Sequence, residues 1–186
     1  NVAAIVPPYH PDDTYHGTSA AIEFAVKGLH VKDIVVMGHA QCGGISALLD
    51  NSGQSTFEFL RQWINIGIPA KNAVNSLLSD APQRIKQRAL EQALILTSIT
   101  NLMTFPWIKD GVESGRITLH GWYFDLESGK MLSLDFASAT FSDITQSSLM
   151  TIFLKKSTHY CGHHYDCTLE HVIQNNLHSQ EKQTTL

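Results

Sequence analysis

The sequence is short of several things, and each shortage removes a class of function. Only 16% of its residues are charged and the net charge is −4. That leaves no basic footprint for nucleic acid and no basic helix suited to a membrane surface. No uninterrupted apolar run approaches the roughly 18 residues that span a bilayer. Residues 1–8 lack the positive n-region of a secretory signal. The chain also opens without Met, inside an apolar run, which suggests a piece of a longer protein. There are three cysteines, Cys42, Cys161 and Cys167, too few to suggest a disulfide scaffold. With no secretory leader in view, a reducing, cytoplasmic setting is expected, where a Cys beside a His reads as a ligand or nucleophile.

What remains is ample for a core. The chain has 186 residues, of which 43% are apolar, enough for one globular domain and a tail. Residues 2–6 read as the end of a strand, stopped by Pro7-Pro8. Residues 10–15 form a polar loop. A helix is predicted over 18–29, with Ala21, Phe24, Ala25 and Leu29 on one face. Ile34-Val35-Val36-Met37 is a continuous apolar run, as expected of a central parallel strand covered on both faces. Helices are predicted over 43–49, 56–64, 69–78, 81–103 and 107–113. A strand is predicted over 117–124, with 130–134 as its hairpin partner across a turn at 125–129. The fold class is α/β, a mostly parallel sheet flanked by helices, occupying residues 1–140. Residues 141–186 are rich in Ser, Thr, Gln and His and lack a sustained apolar period. They read as an atypical, loosely attached extension and a candidate for disorder. No internal repeat is evident.

Chemistry concentrates in Gly38-His39-Ala40-Gln41-Cys42-Gly43-Gly44, directly after the buried-strand pattern. In open parallel sheets, ligands sit beyond the carboxyl ends of the strands. His39 and Cys42 fall there, and both could reach one Zn²⁺, which takes nitrogen and sulfur ligands in a tetrahedron. Two other uses stay open: a buried polar pair bonded to backbone, or a Cys–His nucleophilic dyad. The glycines suggest close approach of the chain to something. Gln41 reads as a loop residue. His120 reads as structural, His16 as a loop residue or cleft lining, and Asp12-Asp13 as a solvated turn. A second cluster, His159-Tyr160-Cys161-Gly162-His163-His164-Tyr165-Asp166-Cys167, is a compositional hint of metal binding, against the plainer reading of an exposed tail.

Several segments in order carry a family resemblance: Val6-Pro7-Pro8-Tyr9, Gly17-Thr18-Ser19-Ala20-Ala21-Ile22-Glu23-Phe24-Ala25-Val26, the His39–Cys42 loop, and Leu119-His120-Gly121-Trp122-Tyr123-Phe124-Asp125. Over residues 1–136 the chain resembles a β-class carbonic anhydrase. The resemblance implies reversible hydration of CO₂ to bicarbonate and a proton, with Zn²⁺ held by Cys, His and Cys. His39 and Cys42 match the second and third of these ligands. It also implies a homodimer or higher homo-oligomer, and a substrate pocket at Val2, Phe24, Gly43 and Gly44. For Val2 and Phe24, plain core packing is an equal alternative. The family's first ligand belongs to a Cys-x-Asp-Ser-Arg segment, which this sequence does not contain. In the family the Asp–Arg pair of that segment orients the zinc-bound water or swaps with it as ligand, so the resemblance identifies no catalytic residue here. Weak metal binding and little hydratase activity are therefore expected of the chain alone. Two alternatives remain: hydrolysis of CS₂ or COS on the same fold and metal, and a non-catalytic subunit pairing with another chain.

Overall fold

The computed structural model describes residues 1–51, 57–144 and 168–181. The β-branched run after residue 33 forms strand β1 (Asp33–His39). It pairs in parallel with β2 (Thr118–Asp125), from Asp33 opposite Thr118 to His39 opposite Phe124. Strand β3 (Lys130–Asp135) runs antiparallel to β2, and β4 (Thr140–Asp143) antiparallel to β3. The sheet order is β1-β2-β3-β4. The α/β class is as expected, but among the described strands one pairing is parallel and two are antiparallel. Connection length explains this. The links from β2 to β3 and from β3 to β4 are short enough only for hairpins, whereas β1 reaches β2 through a long helical crossover.

The helices are α1 (Gly17–Glu23), running on as a π turn over Phe24–Gly28, and α2 (Gly43–Leu49). Then come α3 (Glu58–Ile64), α4 (Ile68–Leu77), α5 (Gln83–Leu102), α6 (Pro106–Glu113) and α7 (Leu169–Glu181). Helix α5 organises the interior because apolar residues occupy two of its faces. Ile95, Leu96, Ile99 and Leu102 join Val36, Leu119, Tyr123 and Phe141 from the sheet. Ala89, Leu90, Ala93 and Leu94 join Ile45, Leu48, Ile64 and Val74 from α2, α3 and α4. Gly38 and Gly121 let α5 lie directly on β1 and β2: a Cβ at either would stand 3.0–3.1 Å from the Ile95 side chain.

Four expectations change. Residues 2–6 are not a strand end. Val2–Ala4 is a 3₁₀ turn, with Ala3 and Ala4 at φ 59° and 53°. Side chains of α5 satisfy the backbone that follows: Ser98 Oγ accepts the Val6 N–H at 3.0 Å and donates to the Ala4 carbonyl, and Asn101 donates to the Val6 carbonyl. With those groups engaged there is no call for a neighbouring strand. In α1 and its π turn, Ile22 and Val26, one turn apart, face the core, which leaves Phe24 and Leu29 exposed on the other side. Strand β1 is covered on one face, while Val35 and Met37 are 41% and 52% exposed on the other. Lastly, the region beyond residue 140 is tied in where it is described. Phe141 and Val172 are buried in the sheet-side cluster and Ile173 in the other.

Candidate metal centre

His39 ends β1 and is exposed. Its Nδ1 lies 2.9 Å from the Ala40 carbonyl oxygen. A proton donated there fixes the ring and leaves the Nε2 lone pair free for an ion, the arrangement metal-binding histidines commonly adopt. Cys42 is the N-terminal cap of α2, with a free thiol, and the residue is 5% exposed. The tight turn between them is made at Gln41, which takes the left-handed conformation (φ 57°), and not at the glycines. Gly43 and Gly44 already belong to α2. Gly43 faces open space, whereas a Cβ on Gly44 would meet the Val2 side chain at 2.9 Å.

Three bonds anchor the loop. The Ala40 N–H donates to the Phe124 carbonyl (2.9 Å), the Gln41 amide to Glu127 Oε1 (2.7 Å), and the Cys42 N–H to Glu91 Oε1 (3.0 Å). Glu91 is buried on α5 and also accepts the Tyr123 hydroxyl (2.7 Å) and the Gln87 amide (3.1 Å). Burial pushes the Glu91 carboxyl up, and those donors only partly offset it. Tyr123 is pushed up by burial and by the Glu91 charge. The Arg88 guanidinium lies 5.5 Å from the Tyr123 ring centre and 3.4 Å from Asp125. For Asp125, burial acts upward, but bonds from the Glu127 backbone and Ser128, with Arg88, outweigh it and hold the carboxyl low. Gln41, Arg88, Glu91, Tyr123 and Asp125 line a cleft of about 500 Å³ behind the loop. Sequence reading passed over Glu91, Tyr123 and Arg88. The available signal was a Glu set between Leu90 and the Ala93-Leu94 pair of an apolar stripe.

The residues expected to form a pocket are not all brought together. Val2 touches Gly44 and lines a groove of about 760 Å³ with Pro7, Tyr15, Phe59, Trp63 and Ile66. The Trp63 indole donates to the Val2 carbonyl at 2.9 Å. Phe24 is 65% exposed, and its ring lies over Gly28 of its own helix. His120 bonds Asp33 at 2.8 Å across the β1–β2 pair, a structural role. Asp12 accepts the Thr14 hydroxyl and N–H and pairs with His16 at 2.7 Å, bonds that hold its carboxyl well below the usual range. The cluster at 159–167, with Cys161 and Cys167, lies outside the described residues. Among the described residues, no group of three His, Cys, Asp or Glu side chains is set to hold a metal. His39 Nε2 and Cys42 Sγ are donor types that fit Zn²⁺ and would fill two of its four positions.

Comparison with known proteins gives a consistent pattern. Residues 1–131 match the family model described as carbonic anhydrase. A carbonic anhydrase of Pseudomonas aeruginosa is 35% identical over 146 residues, which is 78% of this chain and 65% of the relative. The solved structure of the β-carbonic anhydrase CcaA superposes with a TM-score of 0.72 at 29% identity, covering 78% of this chain and 65% of the other. One of two tetrameric β-carbonic anhydrases from Sordaria macrospora gives 0.62 at 30% identity, over 72% and 65% of the chains. The chain thus spans just under two thirds of the length of each.

Proposed function

Because the chain belongs to the carbonic anhydrase family, we propose that it contributes His39 and Cys42 to a zinc site for the reversible hydration of CO₂. The products are bicarbonate and a proton. One observation carries this reading: the imidazole and thiol leave the end of β1 in a single anchored loop, with His39 Nδ1 held by a carbonyl and Nε2 left free. Zinc bound there would supply Lewis acidity, which makes a water acidic near neutral pH. The chain's own part is to bind and to exclude. His39 and Cys42 hold the ion, and their bonds to Ala40 and Glu91 orient them. Val2, packed on Gly44, offers an apolar surface beside the loop for CO₂, which has no charge for an ion pair to grip. We place Gly43 and Gly44 at the same pocket, whereas Phe24, its exposed ring over Gly28, stands apart from it in this chain.

Two ligands leave a tetrahedral ion incomplete. The remaining protein ligand we assign to a Cys-x-Asp-Ser-Arg segment, a motif this sequence does not contain. The chain alone is therefore expected to bind zinc weakly and to hydrate CO₂ poorly. A homodimer or larger homo-oligomer is the assembly we favour, supported by exposed Tyr15 and Phe59 along the Val2 groove. A reducing cytoplasm suits the free Cys42 thiol.

The test is zinc stoichiometry and CO₂ hydration on three samples: this chain, its His39→Ala/Cys42→Ser form, and this chain joined to an upstream Cys-x-Asp-Ser-Arg segment. Weak zinc binding should vanish in the double variant, and activity should appear with the added segment. Undiminished zinc binding in the double variant would refute the ligand assignment. Equal activity with and without the added segment would refute the assigned role of that segment.

A further inference from the structure

The metal loop is held from behind by a group outside the ligand set. Glu91 is 2% exposed on α5, and both of its oxygens are engaged. Oε1 accepts the Cys42 N–H at 3.0 Å and the Gln87 amide at 3.1 Å, while Oε2 accepts the Tyr123 hydroxyl at 2.7 Å. The Cys42 N–H sits at the cap position of α2, before the helix's own ladder begins. Burying a carboxyl beside Leu90, Ala93 and Leu94 costs more than burying an apolar side chain of that size, so packing alone does not account for it. Arg88 lies over the Tyr123 ring and reaches Asp125, which steadies the phenol from the far side. Helix α5, strand β2 and the β1–α2 loop therefore meet at one carboxyl.

We infer that Glu91 is a positioning residue for the metal centre: by holding the Cys42 backbone it sets the spacing of Cys42 Sγ and His39 Nε2, so that one ion reaches both. This rests on the reading of His39 and Cys42 as ligands. Ala40 is tied to β2 through Phe124, so the His39 end of the loop follows the sheet. The Cys42 end follows α5 through Glu91, so the separation of the two ligands depends on how the sheet and α5 hold those two anchors.

The substitutions separate bonding from filling. Glu91→Gln keeps the shape: its carbonyl oxygen can accept the Cys42 N–H, and its amide can donate to the Tyr123 oxygen. Glu91→Leu fills the space and accepts nothing. Both are made in a Cys161→Ser/Cys167→Ser background, so that Cys42 is the sole thiol. Two quantities are read: the dissociation constant for Co²⁺ from the thiolate-to-cobalt absorption band, and the exchange rate of the Cys42 amide proton in the metal-free chain. At unchanged far-UV circular dichroism, Glu91→Leu should weaken Co²⁺ binding about ten- to hundredfold, while Glu91→Gln stays within about threefold of its parent. The Cys42 amide should lose protection in the Leu variant and keep it in the Gln variant. Parent-like binding by Glu91→Leu overturns the inference, and so does a Gln variant that falls as far as Leu. If Glu91→Leu does not fold, Tyr123→Phe takes its place. That change frees Oε2 without touching Cys42 and should weaken Co²⁺ binding measurably; an unchanged constant overturns the inference. A parent with no thiolate-to-cobalt band overturns the ligand reading itself. A parent with the band and an indifferent Glu91→Leu overturns only the role of Glu91.

Discussion

At the scale of the residue, Asp125 shows how the back of the site is held. It ends β2, accepts the Glu127 N–H at 3.0 Å and faces Arg88 at 3.4 Å. Its carboxyl is lower in the folded chain than in the unfolded one. Its contribution is therefore present above the unfolded pKa of about 3.9 and is lost as pH falls through the folded value. Asp125→Asn should cost about 1.5–3 kcal/mol at pH 7, the value of hydrogen bonds to a charged group. Urea unfolding from pH 7 to pH 3 should show the gap between the two proteins closing below about pH 4. A gap that stays constant would mean the charge is not what Asp125 contributes. That His39 and Cys42 share one loop at the end of β1 was legible at this scale because spacing is a property of the sequence. Glu91 was not, because only the rotation of α5 against β1 and β2 decides that its carboxyl points inward.

At the scale of the element, α7 shows what a weak apolar pattern conceals. Its segment has little hydrophobic periodicity, yet Val172 joins the sheet-side cluster and Ile173 the helical one. Two adjacent residues on a helix point about 100° apart, so one turn of α7 can bridge two clusters without forming a stripe. Ile173→Ala should lower stability by about 2–4 kcal/mol, as large-to-small changes at buried sites do. Thermal unfolding checks this, and a change below about 0.5 kcal/mol would show that α7 does not dock on the core. The same scale explains residues 2–6. They are apolar enough for a strand, but Ser98 and Asn101, one turn apart on α5, take the hydrogen bonds that a sheet partner would have made. An i, i+3 polar pair inside a buried helix was the readable sign of such a seam.

At the scale of the molecule, the apolar surface is unevenly covered. Val35 and Met37 are exposed on β1, the outer strand of the described sheet, and Tyr15 and Phe59 flank the Val2 groove. Exposed apolar patches of this kind mark surfaces that associate. Sedimentation velocity should show concentration-dependent self-association, and Tyr15→Lys with Phe59→Lys should shift the population toward monomer. Association unaffected by that pair would move the interface elsewhere.

Local chemistry was enough to determine the α/β class, the extents of most helices, the β2–β3 hairpin and the His-x-x-Cys loop, since propensity, periodicity and spacing act over a few residues. Three matters were left to the tertiary structure: the parallel pairing of β1 with β2, the pinning of residues 2–6 to α5, and the buried Glu91 behind Cys42. Each depends on which distant surfaces meet, and burial is a property of that meeting. A carboxylate such as Glu91 becomes a clamp only when Tyr123 and the Cys42 N–H, 32 and 49 residues away in sequence, arrive at its two oxygens.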